Sequence, residues 1–137
     1  DGEETWVKCF LFRKEEIVLP NGMSLLYPNL RQEKDDEGKK QWVYGSNATK
    51  LYPGKVCNNT NQALARIVMT DGLLRIAKRY PVVGSVHDEG IELIPESEAD
   101  EGLKWCIEQM TIEPKYLPGI PLAADGGWHK RYGLAKN

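Results

Sequence analysis

The sequence has few of the side chains that cross-link small proteins or bind metal ions in them. Its 137 residues include three cysteines and two histidines. Cys9, Cys57 and Cys106 are far apart and form no Cys-x-x-Cys pair. A disulfide framework and a structural zinc site are therefore not expected. We expect reduced thiols in the core of a cytoplasmic protein.

Long hydrophobic runs and an excess of one charge are also missing. The apolar runs are only a few residues long, which excludes a transmembrane helix, and no membrane partner is expected. The acidic start, Asp1 to Glu4, lacks the layout of a secretory signal. A net charge of −2 argues against a non-specific nucleic-acid binder held by bulk charge. The 41% of hydrophobic residues suit one modest domain, or a piece of a larger protein.

The charge is unevenly distributed along the chain. Residues 54–80 contain five basic residues and one acid, whereas residues 88–113 contain nine acids and one lysine. Such a pattern indicates one surface that faces an anion and another that faces water or cations.

Residues 1–53 are predicted to form an irregular β segment. Residues 31–41 are almost wholly polar and are expected to be a solvated hairpin tip or loop. Stretches rich in strand-forming residues lie at 6–12, 17–19, 23–27 and 42–44.

Residues 54–137 are predicted to form a second part of helix, hairpin, helix, short strand and tail. Spacings of three and four predict a helix whose apolar stripe is Ala65, Met69, Leu73, Ile76 and Tyr80. Asn58, Asn59 and Thr60 are candidate N-caps, and Pro81 makes Tyr80 the expected end.

A hairpin and a second helix follow in this part. Two strands, 82–86 and 91–94, flank a turn that contains His87, Asp88 and Glu89. Ser97 and Asp100 resemble a capping box for a second helix that runs from Ala99 to Met110. A last short strand is expected within 118–128. The predicted fold class is α+β, with an antiparallel hairpin or sheet flanked by two amphipathic helices.

The turn at Asp88 and Glu89 carries the candidate chemistry. Two carboxylates held close together repel each other, and a hard divalent cation relieves that repulsion. Mg²⁺ is usually held by one or two carboxylates together with substrate phosphates. Taken alone, the turn is more typical of an ordinary solvated acidic turn than of a metal site.

Two motifs in order resemble the C-terminal part of the palm of family A DNA polymerases. The segment Asn58-Asn59-Thr60-Asn61-Gln62-Ala63-Leu64-Ala65-Arg66 is similar to the bacteriophage branch of that family, and Val86-His87-Asp88-Glu89 is similar to its third polymerase motif. The closing Gly126-Gly127-Trp128 with Tyr132 also resembles these chains. The resemblance covers residues 50–132.

The resemblance implies a role for each matching residue. Asp88 would ligate the two Mg²⁺ ions of nucleotidyl transfer, Glu89 would be its less essential neighbour, and His87 would lie beside the primer terminus. Gln62 would contact the minor groove of the nascent base pair in the primer-template DNA. Arg66 would contact DNA or pair with a palm carboxylate.

The family has an asparagine before the glutamine that Gln62 matches. Either Asn58 or Asn59 could correspond to it. The other implied partners are deoxynucleoside triphosphates and the N-terminal remainder of the polymerase.

The chain also departs from the family. It contains no Asp-Tyr-Ser motif for a second catalytic aspartate and no nucleotide-holding fingers helix. The isolated chain is therefore predicted to be inactive. Gly90 replaces an apolar residue that is usual after the acidic pair. Two alternatives stay open: a metal-dependent phosphohydrolase using His87 and Asp88, and a non-catalytic DNA-binding module using Gln62 and Arg66.

Overall fold

A computed structural model describes residues 4–135 and shows two compact units, 1–65 and 66–137. The fold is α+β, as predicted: three antiparallel sheets and two α-helices. The division between the units lies inside the first helix, whereas the sequence-based boundary of 53/54 coincides with the start of that helix.

The first unit consists of two antiparallel sheets followed by the start of the long helix. The four-stranded sheet has the order β1-β2-β3-β4, and the three-stranded sheet has the order β5-β6-β7. The strands are β1 (Thr5–Val7), β2 (Phe10–Arg13), β3 (Glu16–Val18), β4 (Ser24–Leu26), β5 (Arg31–Lys34), β6 (Lys40–Tyr44) and β7 (Thr49–Leu51). The buried apolar side chains of these two sheets and their loops are Leu11, Ile17, Leu19, Tyr27 and Val43.

One N-terminal expectation was wrong. The predicted single strand at 6–12 is two strands, because the chain reverses at Lys8, whose φ is +53°. The polar stretch 31–41 was expected to be a hairpin tip or a loop, and it is a hairpin: Arg31–Lys34 forms β5 and pairs with β6, and residues 35–39 form the turn. The segment is therefore β structure, as expected, and its short strands form two antiparallel sheets.

The long helix α1 (Pro53–Ile76) begins earlier than predicted. Asn58 to Thr60 are not its N-cap. Pro53 occupies its first turn, where the missing N–H of proline costs nothing. Thr60 lies inside the helix, where its buried hydroxyl donates to the carbonyls of Val56 and Cys57. The helix ends at Ile76, and one further turn carries the chain to Tyr80.

The second unit consists of the end of α1, a hairpin and a second helix. Its elements are β8 (Val82–Val86), β9 (Glu89–Glu92), a 3₁₀ turn (Glu96–Glu98), α2 (Ala99–Thr111) and a terminal 3₁₀ turn (Tyr132–Leu134). Ile76, Tyr80 and Cys106 form its buried core, and Val82, Ile94, Trp105 and Met110 pack around them. The predicted stripe is confirmed except at Ala65, which is exposed.

Gly72 lies in α1 where α2 comes closest. A Cβ at this position would lie 2.5 Å from the sulfur of Met110 and 3.3 Å from its Cα. The glycine that weakens the helix by propensity therefore permits a close approach between the two helices.

The chain beyond α2 differs from the prediction. No strand forms within 118–128, and the capping box is also wrong, since α2 follows the 3₁₀ turn without a side-chain cap. The indole Nε1 of Trp128 donates to Asp100 Oδ1 at 2.8 Å and so anchors the tail to α2. Among residues 4–135, neither helix has the combined length and apolarity needed to cross a bilayer.

Candidate functional site

The β8–β9 hairpin holds the candidate residues at a two-residue turn. Val86 pairs with Glu89, so His87 and Asp88 alone reverse the chain. The predicted turn also contained Glu89 and the second strand was expected at 91–94, but β9 begins at Glu89 and ends at Glu92. His87 has a φ of +53°, a left-handed conformation that costs a residue with a Cβ about 1–2 kcal/mol. Local strain of this kind is retained where the surrounding structure enforces it, and it is common at functional sites.

Asp88 is the most accessible acid of the turn. Its side chain is exposed, and within residues 4–135 its carboxylate has no hydrogen bond or ion pair. Glu89 is half-buried at the start of β9. Two adjacent carboxylates, one of them open to solvent, supply the hard oxygen ligands that Mg²⁺ prefers.

Arg66, on α1, contacts the turn through its guanidinium group. Its Nη1 donates to the backbone carbonyl of His87 at 3.3 Å and also approaches the sulfur of Met69 at 3.7 Å. The sequence predicted contact with DNA or with a carboxylate, so this backbone partner was missed.

Gly90 allows the hairpin to lie against the helix. A Cβ there would lie 2.6 Å from Leu73 Cδ2 of α1, and it would also collide with the carboxylate of Glu92. The glycine therefore has a steric reason, since β9 passes too close to α1 for a side chain at this position. Arg66 and Gly90 together fix the hairpin relative to the second unit's part of α1.

Glu92 is the second acid of β9. It lies at the end of the strand away from the turn and is half-buried. Burial raises the pKa of its carboxyl group. Burial also raises the pKa of the Cys106 thiol to about 11, and the nearby charge of Glu92 adds to that effect. A thiol so poorly ionised is a weak nucleophile at neutral pH. Cys106 is therefore a core residue, as expected, but the same expectation is wrong for Cys57, which is exposed, and Cys9 is only half-buried.

The other predicted contacts belong to the first unit's part of α1. Asn58 and Gln62 are exposed, and Gln62 Nε2 donates to Asn58 Oδ1 at 3.4 Å. Asn59 is half-buried and donates to the hydroxyl of Tyr27 at 3.2 Å. Asn59 thus has a partner within its own unit, whereas Asn58 lies beside Gln62 at the surface.

The donor atoms at the turn fit only part of a metal site. Within the described residues, no group of three or more His, Cys, Asp or Glu side chains could hold a metal ion by itself. Asp88 and Glu89 would need substrate phosphates, or ligands from elsewhere, to complete the octahedral shell of Mg²⁺.

Comparisons of the chain with models of protein families, with curated proteins and with solved structures gave no match.

Proposed function

We propose that the chain is the C-terminal palm portion of a DNA-directed DNA polymerase of family A, in its bacteriophage branch. Two motifs in the expected order carry the proposal: the Gln62-to-Arg66 helix segment and the His87-Asp88-Glu89 turn. The structure supports it in the second unit, where the Asp88 carboxylate is exposed at a tight turn that Arg66 contacts from α1.

The proposed reaction is transfer of a nucleotide to the primer 3′-hydroxyl during DNA replication. Mg²⁺, when bound, would lower the pKa of that hydroxyl and stabilise the charge on the triphosphate. Asp88 would supply the leading oxygen ligand, and Glu89 would add a second carboxylate beside it. His87, adjacent to Asp88 in the turn, would help to place the primer terminus.

Residues outside the turn would position the turn and the duplex. Arg66 would keep the turn in place through the carbonyl of His87. Asn58 and Gln62 would meet the minor groove, where the acceptor pattern is degenerate and only the shape of the pair is checked. The remaining ligands, the nucleotide-binding helix and the thumb would come from the N-terminal remainder of the polymerase.

The phosphohydrolase alternative has less support than the polymerase. Such a site needs several histidine ligands, and His129 is the only other histidine. The Nδ1 of His129 accepts a hydrogen bond from the backbone of Arg131. The DNA-binding alternative shares Gln62 with the polymerase reading, and only a test of chemistry separates the two.

Substitution of Asp88 by asparagine in the complete polymerase is the decisive test. Asp88→Asn removes the charge that a metal ion needs but keeps the size of the side chain. We expect primer extension to fall at least about a thousandfold, which corresponds to roughly 4 kcal/mol of lost transition-state stabilisation. Binding of primer-template should change less than about twofold, because Asp88 is an acid and attracts no phosphate.

The matched control is Asp36→Asn, which changes an exposed acid in another turn. This variant should extend primers normally. Retention of more than about a tenth of the activity by Asp88→Asn would overturn the proposal. Primer extension by the isolated chain would overturn the view that it holds only part of an active centre.

A further inference from the structure

One face of the three-stranded sheet in the first unit combines cations with an exposed indole. Lys34 lies directly opposite Lys40, and Gln32 lies directly opposite Trp42. Side chains alternate along a strand, so these four residues share one side of the sheet. All four are open to solvent: Trp42 is 48% exposed, and Gln32, Lys34 and Lys40 are exposed. We call Gln32, Lys34, Lys40 and Trp42 the Lys–Trp face.

The two lysines of this face repel each other without compensation. Like charges directly opposite in an antiparallel pair are destabilising. Within residues 4–135, neither ammonium group has an ion pair or a hydrogen bond. A sheet that retains this repulsion has a surface suited to an external anion.

Three of the four acids of the same hairpin are engaged elsewhere, and the fourth, Asp36, is exposed at its tip. Asp35 Oδ1 accepts the backbone amides of Glu37 and Lys39, and the carboxylate of Glu37 pairs with Lys39 at 2.8 Å. Arg31 and Glu33, which lie on the opposite side of the sheet, pair with each other at 2.7 Å. These three carboxylates therefore do not neutralise the Lys–Trp face.

A third cation lies toward the other end of the same face. Tyr44 follows Trp42 by two residues, and the ammonium of Lys55 lies 5.6 Å from the centroid of the Tyr44 ring. Residues 38–65 contain four lysines and no acidic residue. Cations thus flank the indole along this strand.

We propose that the Lys–Trp face binds single-stranded nucleic acid, with Trp42 stacked on an unpaired base and Lys34 and Lys40 on the adjacent phosphates. Aromatic platforms beside cations bind single strands without reading sequence. A duplex hides the faces of its bases, so this arrangement favours an unpaired strand. In a polymerase, that strand would be the template. The proposal uses none of the residues of the metal turn and does not depend on them.

The affinity is expected to be weak and strongly dependent on salt, because the chain has a net charge of −2. Fluorescence anisotropy of a labelled oligothymidylate, titrated with the intact chain at several salt concentrations, measures both properties. Trp42→Ala should weaken binding about tenfold, since stacking on one aromatic contributes about 1–3 kcal/mol. Log K for binding falls as log salt rises, and Lys34→Gln with Lys40→Gln should make this negative slope shallower by about 1.4.

Two controls match these variants. Trp6→Ala removes an indole that is 67% exposed in the other sheet, and Lys50→Gln removes an exposed lysine whose strand position faces the opposite side of the sheet. Both should bind like the unchanged chain. If Trp42→Ala does not fold, as judged by circular dichroism, the lysine pair decides, because its replacement removes repulsion and leaves the sheet intact.

Several results would overturn the proposal: no binding at low salt, equal losses in the controls, or a duplex of the same length bound as tightly as the single strand. Binding to anionic vesicles that shows the same variant pattern, without binding to oligothymidylate, would also overturn it. Asp88→Asn should leave oligothymidylate binding unchanged. Loss of extension activity and loss of strand binding are thus separable, and the two proposals can fail independently.

Discussion

Gly90→Ala tests whether the hairpin is held close to α1 by the lack of a side chain. The new Cβ would lie 2.6 Å from Leu73 Cδ2, whereas carbon atoms pack best at about 3.5–4.0 Å. About 1 Å must be recovered by movement of the strand or of Leu73. Overpacking of this kind costs about 1–3 kcal/mol, and removing a glycine from a strand returns about 0.5–1 kcal/mol. We expect a net loss of about 1–2 kcal/mol.

The measurement is thermal and urea unfolding of the intact chain, followed by tryptophan fluorescence. Trp105 packs edge-on against Tyr80 in the second unit and reports on that unit. For a unit of the size of residues 66–137, a loss of about 1–2 kcal/mol corresponds to a fall in Tm of roughly 5–15 °C. The matched control is Gly84→Ala in the partner strand, where a Cβ would meet only Ile91 Cδ1 at an ordinary 3.4 Å.

Gly84→Ala should be neutral or slightly stabilising. Leu73→Ala should cost less in the Gly90→Ala background than in the unchanged chain, because it relieves the collision, and the coupling should reach about 1 kcal/mol. If Gly90→Ala is as stable as Gly84→Ala, or if its cost simply adds to that of Leu73→Ala, the steric argument is wrong.

Two further predictions concern polar groups in the second unit. Burial raises the pKa of the Glu92 carboxyl group in the folded protein above its value in the unfolded chain. Below the unfolded-state pKa, Glu92 is protonated in both states and the folded protein keeps its full stability. As pH rises through the higher folded-state pKa, that stability is lost, because the buried carboxyl group must ionise. Glu92→Gln should therefore raise Tm at neutral pH but not near about pH 4, whereas exposed Glu108→Gln should show no such difference; equal shifts at both values would contradict the argument. The hydroxyl of Tyr116 donates to Asp71 Oδ2 at 2.6 Å, so Tyr116→Phe should lower the free energy of unfolding by about 1–2 kcal/mol. Tyr52→Phe, at an exposed tyrosine, should leave the urea midpoint unchanged, and a loss as large as that of Tyr116→Phe would refute a specific bond.

The sequence predicted the elements whose periodicity is set by packing. The second helix, Ala99–Thr111, and the hairpin around His87 were found because apolar spacing and turn residues agree there. The exposed carboxylate of Asp88 follows from the same pattern, since a two-residue turn leaves its side chains outside the sheet. Local pattern and tertiary packing favour the same structure in these segments.

The elements that were missed depend on partners that are distant in sequence or on unusual backbone angles. Strand β5 has no apolar residue and forms because β6 pairs with it along its whole length. The reversal at Lys8 requires a positive φ from a residue that rarely adopts one. Pro53 reads as a helix breaker unless it is recognised as a first-turn residue.

The choice of partner by Arg66 bears on how the proposed site would work. An arginine that paired directly with Asp88 would compete with a metal ion for the carboxylate, because bidentate pairing uses both oxygens. Its observed acceptor is instead the neutral carbonyl of His87, one residue away. The turn is thereby fixed while both oxygens of Asp88 keep their full capacity to accept ligands. Arg66 can therefore hold the turn in position without occupying the carboxylate of Asp88. The proposed role of Asp88 as a metal ligand would need both.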